Sequence, residues 1–320
     1  MIKHAIALVL LMSLLSCTSV VKTYYDQDEK FLMEEVSWYD NFLGSSGYYR
    51  HGYFKYYYES GRLKTEGNFN MNKVDGIVKD YYESGMLSKE QHYSNGQLNG
   101  SFVRYCENGK IIGKFNYQMG FLDGKAEQYY ECTGNIEEVL FYKNGKREGE
   151  KTIYFKDGKI KDTITYANGK EEGPFLSYFD DGTTKAKGAY KNGKKEGLLV
   201  SYYIDGTIKA HENYRQGEYD GEIRLYFPNG KLREEVNYKN SQKNGYEKFF
   251  YKNGRLKTQT YYENGMINGI KKQYDVYGNL WLEESYKNDV LDGTTKRYSK
   301  TGTVIKVYNY KNGELINAGK

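Results

Sequence analysis

Apolar and aromatic residues in this chain fall on a fixed grid. From Gly52 a glycine returns at 76, 100, 124, 149, 173, 197, 221, 245, 269 and 293, in nine intervals of 24 residues and one of 25. Five residues after each comes an aromatic, as at Tyr81 and Tyr226. A second glycine stands nine after, as at Gly85 and Gly230, then an aliphatic, as at Leu87 and Leu232. A further aromatic closes the unit, as at Tyr93 and Tyr238. Thr184 breaks the aliphatic column, and Gly134 comes one residue late, which places the extra residue within Glu131–Thr133. Glycine interrupts the pattern too often for a helix, and β-formers fill the gaps. Each unit therefore predicts two strands of about six to eight residues. One turn lies at pairs such as Asp157-Gly158 and Asn229-Gly230, the other at Lys143-Asn144-Gly145-Lys146. Asn-Gly and Asp-Gly supply the positive φ that tight hairpin turns need, so the glycines read as turn residues. The cross-strand register stays open, because a two-residue and a three-residue loop place the first aromatic on opposite faces.

Composition sharpens this picture. With 37 Tyr, 14 Phe, 36 Gly, only 2 Pro and a mean hydropathy of -0.84, the chain is a poor source for one thick core. Tyrosine buries its ring while its hydroxyl stays wet, which suits thin β-structure. The 47 basic and 42 acidic residues give +5, with both signs interspersed, so the surface reads as solvated and not as a nucleic-acid site.

Units such as Gly221 to Leu232 followed by Tyr238-Lys-Asn resemble the MORN-repeat variant, the module of bacterial proteins labelled YwqK-type toxin–antitoxin antitoxins. The resemblance runs from about Gly52 to Asn317. Asn72, Ser241 and Asp289 depart from it by replacing the second-turn glycine, which weakens those turns. It implies an all-β fold of eleven tandem hairpin repeats over 52–320, forming an elongated, twisted antiparallel meander sheet; a β-solenoid is the alternative. No functional residue carries over from it.

Residues 1–17 are a separate matter. Lys3, the apolar run Ala5 to Leu15 and then Leu14-Leu15-Ser16-Cys17 resemble a bacterial lipoprotein signal, with Cys17 the residue to be lipidated. Thr18 stands where an Asp would hold such a protein at the inner membrane, so the expected place is the cell envelope, at the outer membrane or surface. Residues 18–51 carry no legible repeat and read as a tether and N-terminal cap. The remaining cysteines, Cys106 and Cys132, are an even pair in an oxidising compartment, either bonded or free. In a flat meander their equivalent strands lie about 9.6 Å apart, beyond the roughly 7 Å limit for a bridge, so a disulfide between them argues against that arrangement.

Catalytic signatures are missing. His51, His92 and His211 occupy different positions in their units, and no nucleophile elbow, zinc motif or phosphate loop is present. A recurrent acid before the leading glycine (Asp75, Asp123, Glu148, Glu172, Glu196, Asp220, Asp292) invites a calcium-ladder reading, but Asn99, Asn244 and Asn268 share the place and turn chemistry explains it better. No metal, cofactor or catalytic residue is assigned. The expected function is a non-enzymatic, lipid-anchored surface for a protein partner. Neutralisation of a toxin and binding of glycan or peptidoglycan through exposed tyrosine are the alternatives.

Overall fold

The computed structural model describes residues 8–9, 18–25, 32–40 and 48–319. Cys17 lies outside the described residues. Every regular element among them is a β-strand, and no helix is present to cross a membrane. The chain divides into two units, one reaching to Lys159 with Ala167–Gly169, the other Ile160–Tyr166 with Lys170 onward. In each, strands pair with their sequence neighbours in an antiparallel meander, so the all-β hairpin-repeat fold holds.

The hairpin of Gly76–Tyr81 and Leu87–Ser94 stands for the rest. Gly76 faces Tyr93 and Tyr81 faces Leu87. Its turn has a three-residue loop: Tyr82 N donates to Met86 O and Gly85 N to Tyr82 O, both at 2.8 Å, with Gly85 at φ 91. The second turn has two residues, Asn95 (φ 51) and Gly96 (φ 84), the left-handed pair that suits the strands' twist. Gly221 and Tyr238, and Tyr226 and Leu232, pair the same way, with Gly230 at φ 78 in the turn.

The leading glycines are not turn residues. Gly76 lies inside a strand course, between Lys73–Val74, paired to Phe69–Asn70, and the stretch paired to Thr65–Glu66. Its φ of 90 makes a bulge there, a conformation that favours glycine.

Neighbouring units are joined at both ends of the strands. At the three-residue turns, Tyr58 Oη donates to Tyr81 O and Tyr82 Oη to Tyr105 O, both at 2.7 Å; in the second unit Tyr203 and Tyr251 reach Tyr226 O and Tyr274 O at 2.8 Å. At the two-residue turns, Gly96 N donates to Val74 O at 2.8 Å and Gly217 N to Lys195 O at 2.9 Å. Successive turns thus touch although a full hairpin separates them in sequence.

That contact corrects the cysteine argument. Cys106 and Cys132 are disulfide-bonded with Cα atoms 5.5 Å apart, within a meander. Both sit in turns, not in strand bodies. Cys106 holds the place that Tyr82 and Tyr130 hold in their units, and Cys132 (φ 55) lies in the loop lengthened by the extra residue. The bridge replaces a tyrosine hydrogen bond with a covalent one.

The stretch before Gly52 continues the pattern. Thr18–Tyr24 pairs with Leu32–Asp40, Ser19 facing Trp38 and Tyr24 facing Leu32, the register of a leading glycine with its closing aromatic and a first aromatic with its aliphatic. Tyr25 Oη donates to Tyr57 O at 2.9 Å, as the other turn tyrosines do. Thr18–Tyr24 and Leu32–Asp40 thus form a degenerate repeat with serine in the glycine's place.

One face of each sheet supplies the core, with large side chains set beside small ones. Val36, Phe54 and Gly67 are consecutive cross-strand partners, and a Cβ on Gly67 would lie 2.7 Å from Phe54 Cζ. Ala126 and Leu140 continue this face at 1% and 3% exposure. In the second unit the row includes Phe175 over Gly188, Leu199 paired to Glu212, Ile223 paired to Val236, and the buried polar pair Glu247 and Thr260, which are 4% and 3% exposed. Glu247 is ion-paired with Lys243 and accepts from Tyr262 Oη at 3.1 Å, which satisfies a carboxylate that burial would otherwise disfavour.

Candidate interaction surface

The opposite face is a ladder of charge. Glu35, Lys55, Glu66 and Lys79 follow one another across strands in the first unit, and Arg224, Glu235 and Lys248 do so in the second. Glu235 lies 3.6 Å from Arg224 and 3.0 Å from Lys248; Lys272 lies 3.4 Å from Glu283. Such part-exposed pairs stabilise little. Their larger effect is to orient the first aromatics: Tyr81 donates to Glu66 at 2.6 Å, Tyr129 to Glu127 at 2.7 Å and Tyr298 to Glu283 at 2.6 Å. Burial, then the carboxylate bond, pushes each of these phenols up to about 12.

Beside that ladder runs a row made by the residue after each leading glycine and its cross-strand partner. In most units the partner is polar, and in several it serves the fold. Asn116 Nδ2 donates to Lys125 O at 3.0 Å, Asn213 Nδ2 to Glu222 O at 2.6 Å, Thr165 Oγ1 to Pro174 O at 3.2 Å and Ser285 Oγ to Thr294 O at 2.9 Å, each capping a carbonyl beside the next bulge. Phe141, Ala189 and Tyr261 occupy the same place without a group that could do this capping. The row also carries exposed apolar side chains, Ile77 in the first unit and Leu198, Tyr246 and Ile270 in the second.

The residues singled out from sequence are held by folding. Gly76, Tyr81, Gly85, Leu87 and Tyr93, and Gly221, Tyr226, Gly230, Leu232 and Tyr238, build turns, bulges and cross-strand pairs. Asp75, Asp123, Glu148, Glu172 and Glu196 accept from the backbone N–H of the second-turn residue of their own hairpin's successor, at 2.6 to 3.1 Å. That bond accounts for the acid at these five positions, while Asp220 is ion-paired with Arg215 at 3.2 Å. His92 binds Ser101 and His211 meets Tyr226, so the structure does not gather the histidines. Sequence reasoning missed the capping row, whose signal was the recurrence of Asn, Ser or Thr one residue before the closing aromatic.

Residues 50–71, 74–95, 147–168, 219–240, 243–264 and 291–312 match the model of the MORN repeat variant. No curated protein matches the chain. Solved structures with a likeness include a crystal structure of TcdB2-TccC3-Cdc42 and a Photorhabdus luminescens Tc holotoxin pore, each 11% identical with a TM-score of 0.18. These cover 94% of this chain, which spans only 24% and 22% of theirs. A porin-like protein from Bacteroides uniformis is 12% identical over 76% of this chain and 92% of its own, with a TM-score of 0.17. Likeness at that level carries no argument about fold or activity. MORN repeats generally mediate protein or membrane binding and are typically non-catalytic. With six matching segments set in register by one pairing scheme, the chain belongs to the MORN repeat variant family.

Proposed function

We propose that this chain is a lipid-anchored protein of the bacterial cell envelope whose repeats present a binding surface to a protein partner, without catalysis. One observation carries the reading: the framework residues are consumed by folding, while exposed apolar side chains recur in a row whose residues vary from unit to unit. An aromatic or aliphatic group left in water at such a place gains nothing from folding and is suited to burial by a partner. The lipoprotein-like leader ending at Cys17 supports the envelope placement. So does the Cys106–Cys132 disulfide, since such bonds persist in oxidising compartments.

Metabolic labelling with a palmitate analogue, followed by in-cell cross-linking, tests it. Label is expected on the wild-type chain and absent from Cys17→Ala, with a cross-linked adduct of discrete mass. No label on the wild type, or no adduct under any cross-linker length, would overturn it.

A further inference from the structure

We infer that Tyr246, Tyr261 and Ile270 form the contact centre of a docking site for an acidic protein segment, one that presents apolar side chains flanked by carboxylates. This rests on the protein-binding reading above and names the site and the partner's chemistry.

Three features converge there. The first is apolar exposure: Tyr246, Tyr261 and Ile270 are 47%, 36% and 48% exposed. Tyr246 and Tyr261 are direct cross-strand partners whose rings meet edge to face at 5.1 Å. Asn268 N donates to Tyr261 O at 3.0 Å and a Cβ on Gly269 would lie 3.6 Å from Tyr261 Cβ, so Ile270 follows directly beside the tyrosine. Interface centres favour such rigid aromatics.

The second is abandonment of the fold's own chemistry. Asn213 and Ser285, the counterparts of Tyr261 two units before and one after, cap a backbone carbonyl. Tyr261 gives up that bond for a part-exposed ring whose contact within the fold is the edge-to-face pair with Tyr246.

The third is charge. Gln242 to Tyr274 carries seven basic residues against Glu247 and Glu263, a net +5 equal to that of the whole chain. Lys248 and Lys272 stand in the row next to the patch, with their carboxylate partners Glu235 and Glu283 on strands further out. The acid that precedes most leading glycines is neutral here, at Asn244 and Asn268. The two units that expose Tyr246 and Ile270 have therefore lost the acids that would repel a carboxylate, which fits an acidic partner.

The test uses the triple variant Tyr246→Ser, Tyr261→Asn, Ile270→Thr. Each new residue occupies the equivalent position in another unit (Ser101, Asn213, Thr294), so the fold is kept, and circular dichroism melting checks it. Random dodecamer peptides displayed on phage are selected on the wild-type chain, with the variant as counter-selection. Enriched peptides are expected to combine Asp or Glu with aromatic or aliphatic residues. They should bind the variant at least tenfold more weakly, and weaken several-fold between about 50 and 300 mM NaCl. Peptides that bind both chains equally would overturn this site while leaving a protein-binding role standing. Peptides without acidic bias would overturn it as well. So would the absence of enrichment, or a preference of the patch for oligo-dT or for phosphatidylglycerol vesicles.

Discussion

At the scale of single residues, the glycines and tyrosines divide into jobs that a common letter hides. Gly188 keeps a negative φ and exists to make space: a Cβ there would lie 2.8 Å from Phe175 Cε1 and 3.4 Å from Leu199 Cγ. Gly188→Ala is expected to cost about 1–3 kcal/mol by overpacking, and Phe175→Leu in the same chain to recover part of it. Urea midpoints of the two single variants and the double variant check this. Tyr82 differs from Tyr81 in the same way. Its hydroxyl spans to the next unit, so Tyr82→Phe is expected to lose about 1 kcal/mol with the hairpin itself intact. The raised phenols of Tyr81, Tyr129 and Tyr298 add a pH dependence. The fold favours their neutral form, so their contribution is complete below the ordinary value of 10.0 and is lost as pH rises toward about 12. Melting temperature should hold up to about pH 10 and fall above it. A flat profile through that window would contradict the assignment.

At the scale of the hairpin, the two turns were legible because Asn-Gly and Asp-Gly leave few conformations open. The register was not, since spacing cannot tell a three-residue loop from a two-residue one. The bulge at the leading glycine was hidden for a related reason: a positive φ inside a strand and one inside a turn select the same residue. The departures at Asn72, Ser241 and Asp289 show the limit of reading consensus as stability. Each takes the left-handed position at φ 61 to 67, and each side chain accepts from a backbone N–H of the preceding unit, of Arg50 at 2.8 Å, Tyr219 at 3.2 Å and Ile267 at 2.6 Å. The bond offsets part of the strain, which glycine would avoid but could not compensate. The recurrent acid works across units too. Glu172 accepts from Asn192 N at 2.6 Å, and Glu172→Ala is expected to cost about 1 kcal/mol, less at high salt than a neutral hydrogen bond would suggest. Chemical denaturation at two salt concentrations measures it.

At the scale of the molecule, repetition made the array obvious and concealed its first member. Residues 18–40 lack the glycine on which periodicity was read, and only the pairing of Ser19 with Trp38 and Tyr24 with Leu32 places them. The surface was concealed for the opposite reason: binding residues are those that break the pattern, and a pattern search discards them. The disulfide belongs to this scale because it ties two successive units through their turns. Reducing it, or replacing Cys106 and Cys132 with serine, should lower the melting temperature and speed proteolysis near 106–132.

The division between a folding framework and a binding row is the central claim, and Tyr261→Asn tests it most directly. Asparagine restores the carbonyl cap seen at Asn116 and Asn213 while removing an exposed ring. Thermal unfolding of that single variant should give a melting temperature equal to or above the wild type. A fall of several degrees would show that Tyr261 belongs to the framework and contradict the account.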